Sequence, residues 1–198
     1  MEIQIKPSDR RVKRSLRLLK QAFIELLQER GFAATSIQDI TDRAEINRGT
    51  FYAHFPDKYA LLDVIVREQF QHYLTNKLPP IARWDRNNLR LLIQAVLMYS
   101  REMSYCSPKE AIGLLVKRAV QEEIAELLLR WLKRAPATKT AWRVPVEIMA
   151  SMISWAIFGA AAEWCQGEKK LSVEQMTDHI LTMITEGAAR LTPDGLPE

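Results

Sequence analysis

Cysteine is scarce in this 198-residue chain: Cys106 and Cys165 stand 59 positions apart, with no CxxC and no Cys/His cluster. That excludes a disulfide framework and a thiolate metal centre, and it points to a reducing compartment. Glycine is sparse too, at seven residues, and glycine plus proline reach only sixteen. A turn-dense β fold and a disordered chain are both disfavoured. The start, MEIQIKPSDRRVKR, has no apolar run of signal-peptide type. The longest apolar run, residues 148–162 between Glu147 and Glu163, falls short of the roughly 20 residues that cross a bilayer. A cytoplasmic protein with no membrane partner is expected. Histidine is limited to His54, His72 and His179, none with a Ser/Asp or metal partner at useful spacing. No catalytic residue, metal ligand or cofactor is indicated, and an enzyme is not expected.

What is present is a core's worth of apolar residues, 47% of the chain, and a lopsided charge. Residues 1–20 carry Lys6, Arg10, Arg11, Lys13, Arg14, Arg17 and Lys20 against Glu2 and Asp9, a net +5. Residues 56–198 carry 18 basic and 17 acidic residues. A basic N-terminal arm leading into a helix is the electrostatic footprint of a nucleic-acid binder.

Helical periodicity runs through the chain. Val12, Leu16, Leu19, Phe23, Leu26 and Leu27 recur on one face of a first helix that stops at Gly31. Thr35 to Gln38 reads as a capping box, with Thr35 as the cap. It opens a second, short helix with Ile37, Ile40 and Ala44 on its buried face. Asn47 caps a third helix, which must end by Phe55 because the next residue is Pro56. Asp57 caps a fourth, with Leu61, Leu62, Ile65 and Phe70 inward, and Leu78-Pro79-Pro80 ends it. Further helices are expected from about 88 to 104, after a Ser107-Pro108 cap to Arg134, from Pro145 to about Gln166, and from a Ser172 capping box to about Ala189. Residues 136–142 read as a loop and Gly167 as a helix stop. No stretch alternates long enough to argue a strand. The chain reads as all-α, about nine helices, divided into residues 1–57, a connecting helix at 58–77, and residues 78–198.

Two short helices joined by a tight turn form a helix-turn-helix, whose second helix enters the major groove of double-stranded DNA. The segment INRGTFYAHFPDK, residues 46–58, has the required division of labour. Ile46, Phe51 and Phe55 can anchor the helix, while Arg48, Thr50, Tyr52 and Ala53 face out. Arg48 suits guanine O6 and N7, and Thr50 a base edge or a phosphate. Tyr52, His54 and Lys58 suit phosphate oxygens. Gly49 leaves room for close approach to DNA or to the second helix.

The stretch GFAATSIQDITDRAEINRGTFYAHFPDKYALL resembles the N-terminal domain of the TetR family of bacterial transcriptional regulators, a likeness that covers residues 10 to about 66. The resemblance implies phosphate contacts at Thr35 and Ser36, base contacts at Arg48, Gly49 and Thr50, and backbone clamping by Tyr52, His54 and Lys58. Asn47 stands where serine is commoner. It further implies an all-helical second domain for dimerisation and effector binding. The residues support dimerisation independently. Ile148, Met152, Trp155, Gly159 and Ala162 form one apolar stripe of the 145–166 helix, and Ala150, Ile153, Ile157, Ala160 and Trp164 another. A helix apolar on both faces needs a cover on both. Met176, Ile180 and Met183 of the last helix can lie beside it, giving a four-helix homodimer interface. All five tryptophans and six of seven methionines lie beyond residue 80, a composition suited to an adaptable apolar pocket. The expected function is a homodimeric repressor, released from a palindromic operator by a small apolar or amphipathic effector. A constitutive or protein-controlled DNA-binding module is the alternative.

Overall fold

A computed structural model describes residues 7–106, 112–135, 144–166 and 171–187. Among them are eight helices and no strand, against the nine or so expected: α1 (Pro7–Arg30), α2 (Ile37–Arg43), α3 (Arg48–Tyr52), α4 (Lys58–Lys77), α5 (Arg86–Cys106), α6 (Ile112–Arg134), α7 (Val146–Gln166) and α8 (Val173–Glu186). Chain contacts divide the protein into two units, residues 1–66 and 67–198, and the division falls inside α4. The caps expected at Ser107 and Pro108, the loop at 136–142 and the stop at Gly167 lie outside the described residues.

In the first unit, Leu19, Phe23 and Leu26 of α1 are buried with Ile40 of α2, Phe51 of α3, and Leu61, Leu62 and Ile65 of α4. Val12, expected on the core face of α1, is 40% exposed and begins that face one turn too early. Gly31 ends α1 with φ +77°, a left-handed residue at which a side chain would be strained.

In the second unit α7 packs on α6, α5 and α8, and α5 packs on α8. The buried side of α7 consists of Ala150, Ser154, Ile157 and Ala161. Ser154 accepts from Gln121 Nε2 at 2.8 Å and donates to Ser151 O at 2.8 Å, so this polar pair is satisfied inside the core. At 21 residues and mean hydropathy 1.4, α7 is the one helix among the described residues long and apolar enough to cross a membrane on length and composition alone. The second half of α4 is tied to α6 by Arg67, which pairs with Glu122 and, at 3.3 Å, with Glu123. Gln71 Nε2 donates to the other Glu123 oxygen at 2.7 Å. Helix α8 begins as expected with the Ser172–Gln175 capping box, but it ends at Glu186, three residues early, because Gly187 takes φ +76°.

Candidate nucleic-acid interface

The turn between α2 and α3 is held by its own backbone. Ala44 closes α2, Glu45 N–H donates to Asp42 O at 3.1 Å, and Ile46 N–H donates to Thr41 O at 2.9 Å. Glu45 adopts φ +54°, the lone non-glycine residue with positive φ among the described residues. The chain then re-enters a helix at once. Asn47 caps it, as its spacing predicts: the Asn47 side chain accepts from Gly49 N–H at 2.7 Å.

Helix α3 is only five residues long, and its two faces differ sharply. Phe51 is fully buried, Phe55 nearly so, and their ring centroids lie 5.7 Å apart. Arg48, Gly49, Tyr52 and Ala53 are exposed, and Thr50 is half-buried. Arg48 Nη2 reaches the Tyr52 hydroxyl at 3.4 Å and its guanidinium lies 6.0 Å from the ring centroid. Those distances describe a loose pair, free to part for a stronger acceptor. Of the two close approaches the sequence suggests for Gly49, the one to α2 is not seen. A Cβ there would meet Asn47 Oδ1 at 3.1 Å and no atom of α2 within 4 Å. Within the chain, the glycine makes room for the cap's own oxygen.

The start of α2 also differs from the expected pattern. The cap is Ser36, not Thr35, and its box partner is Asp39, not Gln38. Thr35 is turned inward: it is 1% exposed, its hydroxyl donates to Gly31 O at 2.8 Å, and its N–H donates to Phe32 O at 3.2 Å. Ser36 is exposed, but its N–H donates to Asp39 Oδ2 at 2.8 Å and its hydroxyl bonds the same oxygen. The Ser36 hydroxyl, then its backbone N–H, then Arg30 at 3.0 Å hold the Asp39 carboxyl down to about 2. A depressed carboxyl stabilises the fold above its unfolded value near 3.9, and that contribution is lost as pH falls through 2. A carboxyl-carbon NMR titration should therefore place the Asp39 midpoint near pH 2. An ordinary midpoint near 3.9 would show the box to be open in solution.

Lys58 occupies a position the sequence alone does not disclose. Its Nζ donates to Phe32 O at 2.9 Å and to Thr35 O at 2.7 Å, and lies 4.3 Å from the centre of the Phe32 ring. It thus ties the first turn of α4 to the α1–α2 corner, with one of its three N–H donors left over. His54 is half-buried with its ring 6.4 Å from that of Phe55, and Asp57 caps α4 through Ala60 N–H at 2.8 Å. Arg10, Lys13, Arg14 and Arg17 recur at i, i+3, i+4 and i+7, so this part of the basic arm is one exposed face of α1. Arg43 is committed elsewhere, to Glu29 at 2.7 Å and Glu25 at 3.4 Å, which fastens α2 to α1.

On the second unit, Ile148, Met152 and Trp155 of α7 are 50%, 65% and 57% exposed, and Met183 of α8 is 47% exposed. Gly159, Ala160 and Met176 are half-buried, and Ala162, also half-buried, lines a small cavity. Ile180 lies inside the unit's own core at 5% exposure.

Comparison with known proteins agrees with this geometry. Residues 19–65 match the sequence profile described as "Bacterial regulatory proteins, tetR family". An uncharacterised HTH-type transcriptional regulator of Bacillus subtilis (strain 168), YxbF, is 40% identical over 63 residues, 31% of this chain and 17% of that protein. The HTH-type transcriptional repressor DhaR of Mycobacterium sp. (strain GP1) is 39% identical over 46 residues, 23% of each chain. Among solved structures, the flavonoid-responsive regulator FrrA superposes with a TM-score of 0.58 at 20% identity, covering 88% of this chain and 96% of FrrA. At that identity the likeness is one of fold. The aligned part of this chain spans between about a sixth and a third of the length of the curated relatives it matches.

Proposed function

We propose that this chain, whose residues 19–65 match the profile of the tetR family of bacterial regulatory proteins, is a homodimeric transcriptional repressor of that family. It binds a palindromic operator and is released from it by a small molecule. One observation carries the reading: α3 is anchored by Phe51 and Phe55 and presents Arg48, Thr50 and Tyr52 on its open side. Arg48 offers a bidentate donor to guanine, and Gly49 and Thr50 come close to the base edges. Ser36, Tyr52, His54 and the free donor of Lys58 hold the phosphates, with Thr35 shaping the corner from inside. The open stripe of α7 receives a second copy, which sets two recognition helices roughly 34–36 Å apart, one helical turn of DNA. Effector and operator are coupled through α4, which has residues in both units. The coupling is reciprocal: each ligand lowers affinity for the other by the same factor.

The test is a gel-shift with the DNA upstream of the protein's own gene, repeated across salt concentrations. Each phosphate neutralised contributes about −0.9 to the log–log slope. With the α1 basic face engaged, the slope is expected to be steep, and a slope near zero would refute the reading. Within that assay, Arg48→Ala should lose roughly 1–3 kcal/mol and relax selection at one base pair per half-site. Tyr52→Phe should weaken all sequences alike. If both substitutions shift an operator library identically, the assigned roles are wrong.

A further inference from the structure

The second unit holds a cavity of about 410 Å³ between the second half of α4, the turn that follows it, and α6. Leu74, Leu78, Leu127 and Trp131 give it an apolar wall, and Arg130 and Arg134 stand on its α6 side. Leu127, Arg130, Trp131 and Arg134 recur at i, i+3, i+4 and i+7, so one helical face supplies both the apolar and the cationic lining. The volume lies within the roughly 300–1,000 Å³ of small-molecule sites. The cavity lined by Val116, Phe158 and Ala162, at about 100 Å³, is too small for such a ligand.

Charge decides the kind of occupant. The buried Glu123 carboxylate also lines the larger cavity, but both its oxygens are taken, by Arg67 at 3.3 Å and Gln71 at 2.7 Å. Arg67 pairs in turn with Glu122, which Arg118 holds at 2.7 Å. Glu122 and Glu123 are thus both matched by cations. Arg130 faces Glu126 loosely at 3.8 Å, and Arg134 has no acidic partner among the described residues. The uncompensated charge at the apolar wall is therefore positive. We propose that this cavity takes a carboxylate amphiphile, its apolar body against Leu74, Leu78, Leu127 and Trp131 and its carboxylate on Arg134 and Arg130. This deepens the effector reading above and rests on it. The ligand would lie directly beside the Arg67–Gln71–Glu123 network that joins α4 to α6.

Isothermal calorimetry of the full chain with sodium dodecanoate, below its micelle concentration and without DNA, tests the site. Dodecanoate should bind, and dodecanol should bind roughly tenfold or more weakly, the range of one lost charge-assisted hydrogen bond. Arg134→Glu, at an exposed position that should not disturb folding, should remove that preference. Leu127→Trp should fill the cavity and abolish binding, while Val116→Trp, in the smaller cavity, should not. The proposal is overturned if dodecanoate gives no heat, if dodecyltrimethylammonium binds as well or better, or if Val116→Trp alone abolishes binding. Failure of the regulatory reading looks different. Dodecanoate that binds without loosening the operator leaves the site and removes its effector role. A compound that releases the operator while this cavity stays empty does the reverse.

Discussion

Replacing Met152 and Trp155 together by glutamate is expected to leave a folded monomer whose operator affinity is lower by roughly 10²–10⁴-fold, the gain that linking two binding sites provides. Both side chains are more than half exposed, and with Ile148 they line one side of α7 at i, i+4 and i+7. The opposite side, with Ala150, Ile157 and Ala161, is already buried. A contiguous exposed apolar patch on a folded chain marks an interaction surface. Charges placed there meet water in the monomer and each other in the dimer. Gly159→Trp and Ala160→Glu should act in the same direction. A Cβ built at Gly159 meets nothing within 4 Å among the described residues, so the position has room at its first side-chain atom. Ile180→Glu should behave differently, unfolding the second unit rather than dissociating it, since Ile180 is buried at home. Light scattering, a thermal melt and operator titration separate the two outcomes. A double variant that remains dimeric would remove α7 from the interface.

Glu123→Ala should lower stability by roughly 3 kcal/mol, because it leaves a hole where one buried carboxylate accepts from both Arg67 and Gln71. In a chain of this size that corresponds to a drop of roughly 6–12 °C in melting temperature. Arg67 retains Glu122, which keeps the loss at the lower end of the range for a broken buried pair. Glu126→Ala is the control. Its partner Arg130 is 3.8 Å away and both side chains are exposed, so the change should stay within about 0.5 kcal/mol. Equal melting points for the two variants would show that Glu123 does not hold α4 to α6.

The legible parts were those written in short-range chemistry. The Gly31 stop, the Asn47, Asp57 and Ser172 caps and the inward Phe51 and Phe55 each follow from a few adjacent residues, and the structure has them all. What escaped depended on residues distant in sequence or on choices between near-equals. Thr35 and Ser36 are equally good caps by composition. The contest goes to Ser36 because Thr35 is drawn inward by the Gly31 carbonyl. Nothing near Lys58 in sequence announces that the Phe32 and Thr35 carbonyls, more than twenty residues away, meet its ammonium. Glu122 and Glu123 carry no signal of their own in the sequence. Their partner Arg67 is 55 and 56 positions earlier, and no periodicity announces it. Ile180 has the spacing of an interface residue because its own core and a partner's surface select the same side chain.

On the proposed function, a recognition helix of five residues has a thermodynamic consequence. Helices shorter than about 12–15 residues do not hold in water by themselves, so α3 exists only while Phe51 and Phe55 remain seated. Operator affinity then includes the folding equilibrium of residues 1–66 as a factor. On warming, the apparent dissociation constant should follow a shallow line and then bend upward where the Phe51 core begins to melt. A peptide containing α2 and α3 alone should show no affinity above that of its charge.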